Sequence, residues 1–390
     1  MNSHYKTRFI YITPYIQEAS RIANACIPLK FVEPTDKDPA FQNRKSDHIA
    51  SLIREGRNIA TTHQSFSRMS DDTLKMISEQ RYTLIIDEAV DMIASVHASS
   101  KDISDAVRLG YITQNDSGLS LTGATHYDGG VFKKLMEIFQ CGRVFRYNDK
   151  TKDLYFWTLP HDLITAFENV FILTYLFEGQ ALSQFLKLNN IKYDYIGVER
   201  SSNGVYSFST NIVWKPDWIG SINKLIHIID KPKMNAIGDN RCDLSWHWFK
   251  RHAKDSPQIE TIRRNLNNYF YNLCPDSIPH TRLCGCSTEG MEKISGKGYA
   301  KSIIAFNTRA TNQYSSCKYL AYIMNVFFNP NMSQFFNDHG LSIDENVYAL
   351  STMLQWIWRS AIRNGEPITL YVPSRRMRGL LQDWIATISA

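Results

Sequence analysis

Two adjacent acids, Asp87 and Glu88, are the residues of this chain best placed to do chemistry. They follow Tyr82 to Ile86, a short apolar run rich in β-branched residues, which predicts a fully buried strand of a parallel sheet. An acid at the carboxyl end of such a strand can help hold Mg²⁺ on nucleotide phosphates, and a neighbouring Glu can orient or deprotonate an attacking water. A helix N-terminus also favours acids, so the pair alone is weak evidence for a nucleotide site.

Three apolar runs in the first ninety residues predict the strands that position this pair. They begin near residues 8, 58 and 82 and have helical patterns between them, which is βαβ spacing and predicts a parallel sheet with right-handed crossovers. A looser stretch follows, with a predicted helix near 130–139 and a hairpin from Arg143 to Phe156, before a fourth strand at Val170 to Thr174. Polar residues at the ends of these strands or just after them are Thr13, Pro14, Thr61, Thr62, His63 and Thr174. His63 could equally be a turn histidine with a structural role.

The second half of the chain repeats the alternation of strands and helices. Apolar runs at 225–229, 302–306 and 368–372 predict strands, and helices are expected at 243–254, 256–273 and after residue 312, the last one containing Tyr319 and Phe327. The run at 302–306 leads into a polar loop that contains Asn307, Arg309, Thr311 and Asn312.

A predicted helix at 348–363 carries Gln355, Arg359 and Arg363 at intervals of four residues, so the three side chains should share one face. The alternative is an ordinary basic face in contact with solvent. Trp356 and Trp358 on the same helix disfavour that alternative, and the pattern therefore predicts a functional cluster.

Length and composition indicate a globular protein of two domains. The 390 residues are 43% hydrophobic, and no apolar run approaches the roughly 20 residues needed to span a bilayer. The polar start is unlike a signal peptide, which predicts a cytoplasmic protein with no membrane partner. A net charge of +6 mildly favours an anionic partner, and 12% aromatic residues would suit base stacking, although most of them should be core.

Seven cysteines are an odd number scattered through the chain, so reduced thiols are expected. Cys274, His280, Cys284 and Cys286 are four possible zinc ligands within a short stretch. Their Cys-x-Cys spacing is tighter than that of most zinc sites, and a second pair at finger distance is missing. Zinc is the less favoured interpretation, and the question stays open at the level of sequence.

The order of these motifs along the chain, from the Thr-Pro turn through Asp-Glu-Ala-Val to the Gln-x3-Arg-x3-Arg helix, resembles the DEAD/DEAH-type superfamily 2 helicases of phages and mobile elements in Gram-positive bacteria. The resemblance covers nearly the whole chain. It implies an α/β fold of two RecA-like parallel-sheet domains in tandem, with the first domain missing its P-loop strand. Residues 1–200 would be the ATP-binding type, and residues 201–390 the helicase C-terminal type with a helical insertion at about 240–300.

The same resemblance implies a function for each motif. ATP and Mg²⁺ would lie in the cleft between the domains, with Asp87 and Glu88 as catalytic acids, Asp87 holding Mg²⁺ through the nucleotide. Thr174 would couple the nucleotide site to the DNA track. Further catalytic residues would be Gln355, Arg359 and Arg363, which bring cations to the γ-phosphate. Residues implied to contact nucleic acid are Thr13, Pro14, Thr61, Thr62, His63, Asn307, Arg309, Thr311 and Asn312. Single-stranded or forked DNA would be the partner, with other replication proteins as a further option, in the cytoplasm of a bacterial host cell.

One part of the helicase pattern is missing from the sequence. ATP binding in this class uses Gly-x4-Gly-Lys-Ser/Thr, whose backbone amides wrap the phosphates, and no such sequence occurs here. The first hypothesis is therefore an ATP-dependent DNA helicase whose chain is short at its amino terminus, with an upstream strand and P-loop still to be added. On this hypothesis the chain as given should be inactive as an ATPase, and its first sheet should have an empty buried strand position.

The alternative is a non-catalytic single-stranded nucleic-acid-binding module derived from a helicase. A nuclease is a third and weaker possibility, because the sequence offers no cluster of acids with a lysine.

Overall fold

The computed structural model describes the chain except for residues 2, 3, 5, 38–43, 97–99, 116–117, 122–142, 149–152, 211–218, 309–312 and 390. It divides into two units. Unit 1 contains residues 1–191 and 329–343, and unit 2 contains residues 192–328 and 344–390. The predicted α/β fold with parallel sheets is confirmed, whereas the RecA-like identity of the two halves stays a prediction.

The elements of the first half run in the following order. They are β1 (Phe9–Thr13), α1 (Ile16–Ala25), α2 (Lys45–Arg54), β2 (Ile59–Thr62), α3 (His63–Phe66), α4 (Asp71–Glu79), β3 (Thr83–Asp87), β4 (Ile93–Ser95), α5 (Ser100–Arg108), β5 (Ile112–Asn115), β6 (Gly118–Leu121), β7 (Arg143–Asn148), β8 (Asp153–Thr158), α6 (Asp162–Thr165), β9 (Asn169–Leu173) and α7 (Ala181–Leu188).

The second half continues the alternation. Its elements are β10 (Gly197–Arg200), β11 (Tyr206–Ser209), α8 (Ile222–Leu225), β12 (Ile226–Ile229), α9 (Pro232–Asn235), α10 (Trp246–Arg251), α11 (Pro257–Asn267), β13 (Arg282–Cys286), α12 (Thr288–Ile294), β14 (Ile303–Ala305), β15 (Tyr319–Ile323), α13 (Pro330–Asp338), α14 (Glu345–Ile357), β16 (Ile368–Tyr371) and α15 (Arg375–Ser389).

The parallel sheet of unit 1 has the strand order β2-β1-β3-β9. Its central strands are covered on both faces, and Ile10, Ile12, Leu84 and Ile86 are completely buried, as expected for apolar runs with no polar alternation. Among the described residues the four strands pair side by side without a gap. The expected empty position inside the sheet is therefore wrong for this part of the chain, and a further strand could join only at an edge.

A second, antiparallel sheet is inserted between β3 and β9, with the order β4-β8-β7-β6-β5. It includes the predicted hairpin, observed as β7 and β8. The helix predicted at 130–139 lies outside the described residues. Helix α13, which the chain contributes from far downstream, packs Phe335 against Phe145, Tyr147 and Phe156 with ring centroids 4.9–5.6 Å apart. This aromatic cluster joins the returning segment to the inserted sheet.

Unit 2 is built on a five-stranded parallel sheet of order β12-β16-β15-β13-β14. The three strands predicted here from apolar runs are confirmed as β12, β14 and β16. The helix expected after residue 312 is wrong, because Tyr319–Ile323 forms the strand β15, which pairs with β13 on one side and β16 on the other. Its apolar residues also fit a helical spacing, but burial on both faces at the centre of the sheet favours the strand.

Candidate functional site at the carboxyl edge of the first sheet

Parallel pairing brings the predicted site residues of unit 1 to one edge of its sheet. In the observed register Thr13 is opposite Thr62, and Asp87 is opposite Leu173. Strands β1, β2, β3 and β9 therefore all deliver their carboxyl ends to the same place, which is where ligands bind in open α/β sheets. The residues gathered there are Thr13, Pro14, Thr61, Thr62, His63, Asp87, Glu88 and Thr174.

His63 fixes the start of the acidic turn. Thr62 caps α3 by accepting a hydrogen bond from the backbone N–H of Ser65 at 3.3 Å, which sets the position of the helix that begins with His63. The His63 Nε2 lies 3.1 Å from the backbone carbonyl oxygen of Asp87. Because a carbonyl can only accept, this ring nitrogen must carry the proton and donate. The imidazole therefore has a structural task, in agreement with the alternative of a turn histidine.

Asp87 is half-buried at the end of β3, and its carboxylate accepts a hydrogen bond from the Tyr11 hydroxyl. Burial and the neighbouring carboxylate together raise the pKa of Tyr11 far above its ordinary value, so this phenol stays protonated and donates. Tyr11 is not among the residues predicted from the sequence. The available signal was the βαβ spacing, because adjacent parallel strands place β1 directly beside β3.

Glu88 is held in an unusual backbone conformation. Its φ is +62°, in the left-handed region, which costs a residue with a Cβ roughly 1–2 kcal/mol. Its backbone N–H donates to the carbonyl oxygen of Leu173 at 3.0 Å, so the turn after β3 is tied to the end of β9. Strain of this kind at a strand end is typical of functional sites, where the surrounding contacts maintain it.

Thr13 and the start of α1 form a place suited to an anion. Thr13 is completely buried, and its Oγ1 has no hydrogen-bond partner among the described residues. Helix α1 begins three residues later, and its cap residue Tyr15 makes no capping hydrogen bond through its side chain within the described chain. Backbone N–H groups at such a helix start, together with an available hydroxyl, favour a phosphate oxygen.

Thr174 lies just beyond β9 and is tied to the helix that follows. Its hydroxyl accepts a hydrogen bond from Gln180 Nε2 at 2.8 Å, and the same amide lies 3.3 Å from the carbonyl oxygen of Tyr175. Gln180 is buried and directly precedes α7. It is a second residue that sequence reasoning missed, because nothing in the local pattern distinguishes it from an ordinary helix start.

In unit 2, the predicted nucleic-acid loop begins at the carboxyl edge of the second sheet. Asn307 is exposed in a turn immediately after β14, and the Thr308 hydroxyl closes this turn by donating to the carbonyl oxygen of Ala305 at 2.8 Å. Arg309, Thr311 and Asn312 lie outside the described residues.

The shared helical face predicted for Gln355, Arg359 and Arg363 is wrong. Helix α14 ends at Ile357, where the Ser360 hydroxyl donates to the carbonyl oxygen of Ile357 at 2.6 Å. Ser360 has extended backbone, so the chain leaves the helical path before a separate 3₁₀ turn that contains Arg363. Gln355 instead donates to Ser351 within its own helix at 3.3 Å. The catalytic roles of these three residues stay predictions.

The possible zinc ligands do not converge. Among the described residues no group of three or more His, Cys, Asp or Glu is arranged to hold a metal ion. Cys284 and Cys286 are buried within β13, and burial raises the pKa of the Cys286 thiol to about 12, while His280 is exposed. These thiols stay protonated at neutral pH and pack as small apolar residues.

The edge of the first sheet fits Mg²⁺-ATP only in part. Asp87 can provide a carboxylate for a divalent cation, in the position that such an acid takes at the end of a buried strand. The sequence has no Gly-x4-Gly-Lys-Ser/Thr to wrap a triphosphate. We therefore derive no hydrolytic step at this site.

Two comparisons relate the chain to known proteins. Residues 220–385 match the model of the YonV C-terminal Rossmann-like domain, in agreement with the parallel sheet of unit 2. The chain is 32% identical over 383 residues to the SPbeta prophage-derived uncharacterized protein YonV of Bacillus subtilis (strain 168), and the alignment covers 97% of this chain and 92% of that protein. Within the part of the chain that the structure describes, no helix has both the length and the apolar character to cross a bilayer.

Proposed function

The chain belongs to the family of the prophage protein YonV, and we propose that it binds single-stranded or forked DNA through a helicase-like core during replication of a mobile genome. In this proposal the carboxyl edge of the first sheet contacts the phosphate backbone of the strand. The turn at Asn307 provides a second contact at the edge of the sheet in unit 2. Both edges have the position that parallel α/β sheets use for ligands.

The observation that carries the proposal is the combination at the end of β1. A buried hydroxyl on Thr13 without a partner among the described residues and the start of α1, which lacks a side-chain cap, lie within three residues of each other. Buried polar groups normally have hydrogen-bond partners, so a hydroxyl left over at a ligand-binding edge suits a bound group that supplies the acceptor. A phosphate oxygen supplies it once a small shift of the Thr13–Pro14 turn exposes the hydroxyl, which is buried in the structure, and the N–H groups of the helix start favour its charge.

Binding is favoured over catalysis by what the chain offers around the acids. The 390 residues contain no phosphate-wrapping loop, and the two arginines predicted to serve the γ-phosphate do not lie on one helical face. The DNA-binding part of the helicase pattern depends on neither feature. The acids Asp87 and Glu88 would then serve to hold the turns that present Thr13 and Thr62 to the strand.

An ATP-dependent helicase is the second candidate, and one observation favours it. Asp87 is half-buried and so keeps some contact with solvent. It lies where an acid would coordinate Mg²⁺ on a nucleotide. A phosphate-binding loop would have to come from outside this sequence. DNA-stimulated ATP hydrolysis that Asp87→Asn abolishes would favour this candidate, whereas the binding proposal expects no hydrolysis with or without DNA.

The test of the binding proposal uses two threonines as a matched pair. Thr13 and Thr83 are both buried with a hydroxyl that has no partner among the described residues, but Thr13 ends β1 at the carboxyl edge, whereas Thr83 begins β3 at the opposite edge. Binding of a fluorescein-labelled dT20 strand is measured by anisotropy. Thr13→Val should weaken binding roughly tenfold to a hundredfold, as expected for one hydrogen bond to a charged group, and Thr83→Val should not.

Salt provides the second readout of the same experiment. The logarithm of the binding constant should fall linearly with the logarithm of salt concentration, by about 0.7 for each phosphate neutralised on a single strand. An affinity that does not change with salt, or equal losses in Thr13→Val and Thr83→Val, would contradict the proposed site. Absence of binding at low salt would overturn the proposed function as a whole.

A further inference from the structure

Strands β10 and β11 form a two-stranded antiparallel hairpin that belongs to unit 2. The register pairs Val198 with Phe208 and Arg200 with Tyr206. The connecting turn includes Gly204 at φ +82°, a conformation that glycine adopts without strain, as in three-residue hairpin loops that end with a left-handed residue. Ser201 to Gly204, which begin the second predicted domain at residue 201, therefore form the turn of this hairpin.

The hairpin has two chemically different faces. Side chains alternate along each strand and paired residues point the same way, so Val198, Arg200, Tyr206 and Phe208 share one side, which we name the aromatic face. The opposite side carries Glu199, Ser207 and Ser209, where the Ser209 hydroxyl donates to the Glu199 carboxylate. The acid of the hairpin is thus engaged on the polar side, away from the rings.

The aromatic face is open to solvent. Val198, Tyr206 and Phe208 are 40%, 59% and 66% exposed. A two-stranded hairpin has no core of its own, so apolar side chains in these positions gain little from folding. Exposed aromatic residues grouped on one side of a strand pair are typical of a surface that contacts a partner.

The cation on this face indicates which partner. The Arg200 guanidinium lies 5.6 Å from the centroid of the Tyr206 ring. The four residues of the aromatic face thus include two aromatic rings, one cation and no carboxylate. Rings that can stack on bases next to an arginine that can meet a phosphate are the pairing found in proteins that bind single strands without sequence preference.

We infer that the aromatic face is a second contact surface for single-stranded nucleic acid, on which bases stack against Tyr206 and Phe208 while Arg200 contacts the backbone. The inference rests on the proposed function and adds to it a surface made of stacking rather than of sheet-edge hydroxyls. Stacking on an exposed ring contributes about 1–3 kcal/mol per base and tolerates any sequence.

The experiment compares the two faces in the full chain with a fluorescein-labelled dT20 strand. Tyr206→Ala with Phe208→Ala should weaken binding at least tenfold, because two stacking contacts are lost. Arg200→Gln should lower the salt slope by about 0.7, the share of one phosphate. Ser207→Ala, on the polar face of the same hairpin, should bind as the unmodified chain does. All four sites are exposed, and circular dichroism checks that each variant is folded.

A measurement on the unmodified chain locates the contact without mutation. Ultraviolet crosslinking to a strand containing 5-iodouracil should yield, by mass spectrometry, adducts on Tyr206 or Phe208.

If the chain binds dT20 but the double variant binds equally well, the inference is wrong while the proposed function stands. A self-association seen by light scattering that the double variant abolishes, without loss of DNA binding, would assign the face to a second copy of the chain. If the unmodified chain does not bind dT20 at all, the proposed function and the inference both fail.

Discussion

At the scale of single residues, the acidic turn after β3 is held from three directions. His63 donates to the Asp87 carbonyl oxygen, Tyr11 donates to the Asp87 carboxylate, and the Glu88 N–H donates to Leu173. Each partner comes from a different strand or strand end of the same sheet. Groups fixed in this way keep their geometry in the absence of ligand, which is what a binding site requires of its supporting residues.

Tyr82, at the start of the Asp-Glu strand, provides a pH test of this region. Its ring is fully buried, its hydroxyl donates to the carbonyl oxygen of Arg57 at 2.9 Å, and burial raises the pKa of Tyr82 to about 12 from an ordinary value of 10.0. The folded state therefore holds this proton more tightly than the unfolded state. Stability from this group is complete below pH 10 and is lost as the pH rises from 10 through about 12.

We expect Tyr82→Phe to remove the part of the alkaline loss of stability that comes from ionisation of the Tyr82 hydroxyl. A rise of the pKa from 10.0 to about 12 corresponds to about 2–3 kcal/mol of unfolding free energy lost between pH 10 and 12, and other buried tyrosines add to the fall in the unmodified chain. Urea denaturation at pH 9 and pH 11.5, followed by circular dichroism, measures the difference. If both proteins lose the same free energy of unfolding over this interval, the Tyr82 hydroxyl does not hold its proton in the way described.

At the scale of elements, the sequence predicts a strand well where a short run is apolar throughout. It predicts a strand poorly where the apolar residues also fit the spacing of a helix. The strands β1, β3, β9 and β16 were predicted to within a residue at each end because each is a short apolar run between polar turns. Strand β15 was predicted as a helix, since its apolar residues also recur at helical spacing. Strand β13 was missed because its Arg-Leu-Cys-Gly-Cys sequence contains no β-branched or aromatic residue, the types that are enriched in strands.

The residues of the candidate site could be predicted from the sequence only in part. Residues at strand ends were predictable, because parallel strands must deliver their carboxyl ends to one edge. The contacts that hold them, from Tyr11, Leu173 and Gln180, join positions far apart in sequence or involve backbone groups, so local patterns do not reveal them. Arg359 and Arg363 were placed on one helical face because the pattern continues past Ile357, whereas the break depends on the backbone at Ser360.

Helix α13 offers a prediction about packing. Phe335 is 3% exposed and contacts three aromatic rings of the inserted sheet, from Phe145, Tyr147 and Phe156. Phe335→Ala should lower the free energy of unfolding by about 3–5 kcal/mol, the usual cost of removing a buried phenyl ring. Gln334→Ala, on the exposed side of the same helix, is the control and should change it by less than about 0.5 kcal/mol. Similar midpoints for the two variants in urea would show that the ring cluster contributes little.

At the scale of the whole molecule, the path of the chain is less simple than two consecutive domains. It enters unit 2 at residue 192, returns to unit 1 for residues 329–343 and goes back to unit 2 for the remainder. The return includes Asn329, whose amide donates to the Ser95 hydroxyl at 3.0 Å, as well as helix α13. The sequence predicts a division near residue 200, because local patterns cannot reveal a segment that leaves its neighbours in sequence to pack elsewhere.

This path predicts that the first 191 residues are incomplete as a folding unit. Without α13, the rings of Phe145, Tyr147 and Phe156 lose the apolar cover that Phe335 gives them, and exposed aromatic patches promote association. Residues 1–191 alone should therefore be less stable to heat than a fusion in which residues 329–343 follow them through a flexible Gly-Ser linker. The fusion should elute as a monomer in size-exclusion chromatography.

A fusion carrying Phe335→Ala serves as the control, because it has the same length and linker but lacks the ring, and it should behave more like residues 1–191 alone. Equal melting temperatures and equal elution for all three proteins would mean that the returning helix is dispensable for unit 1.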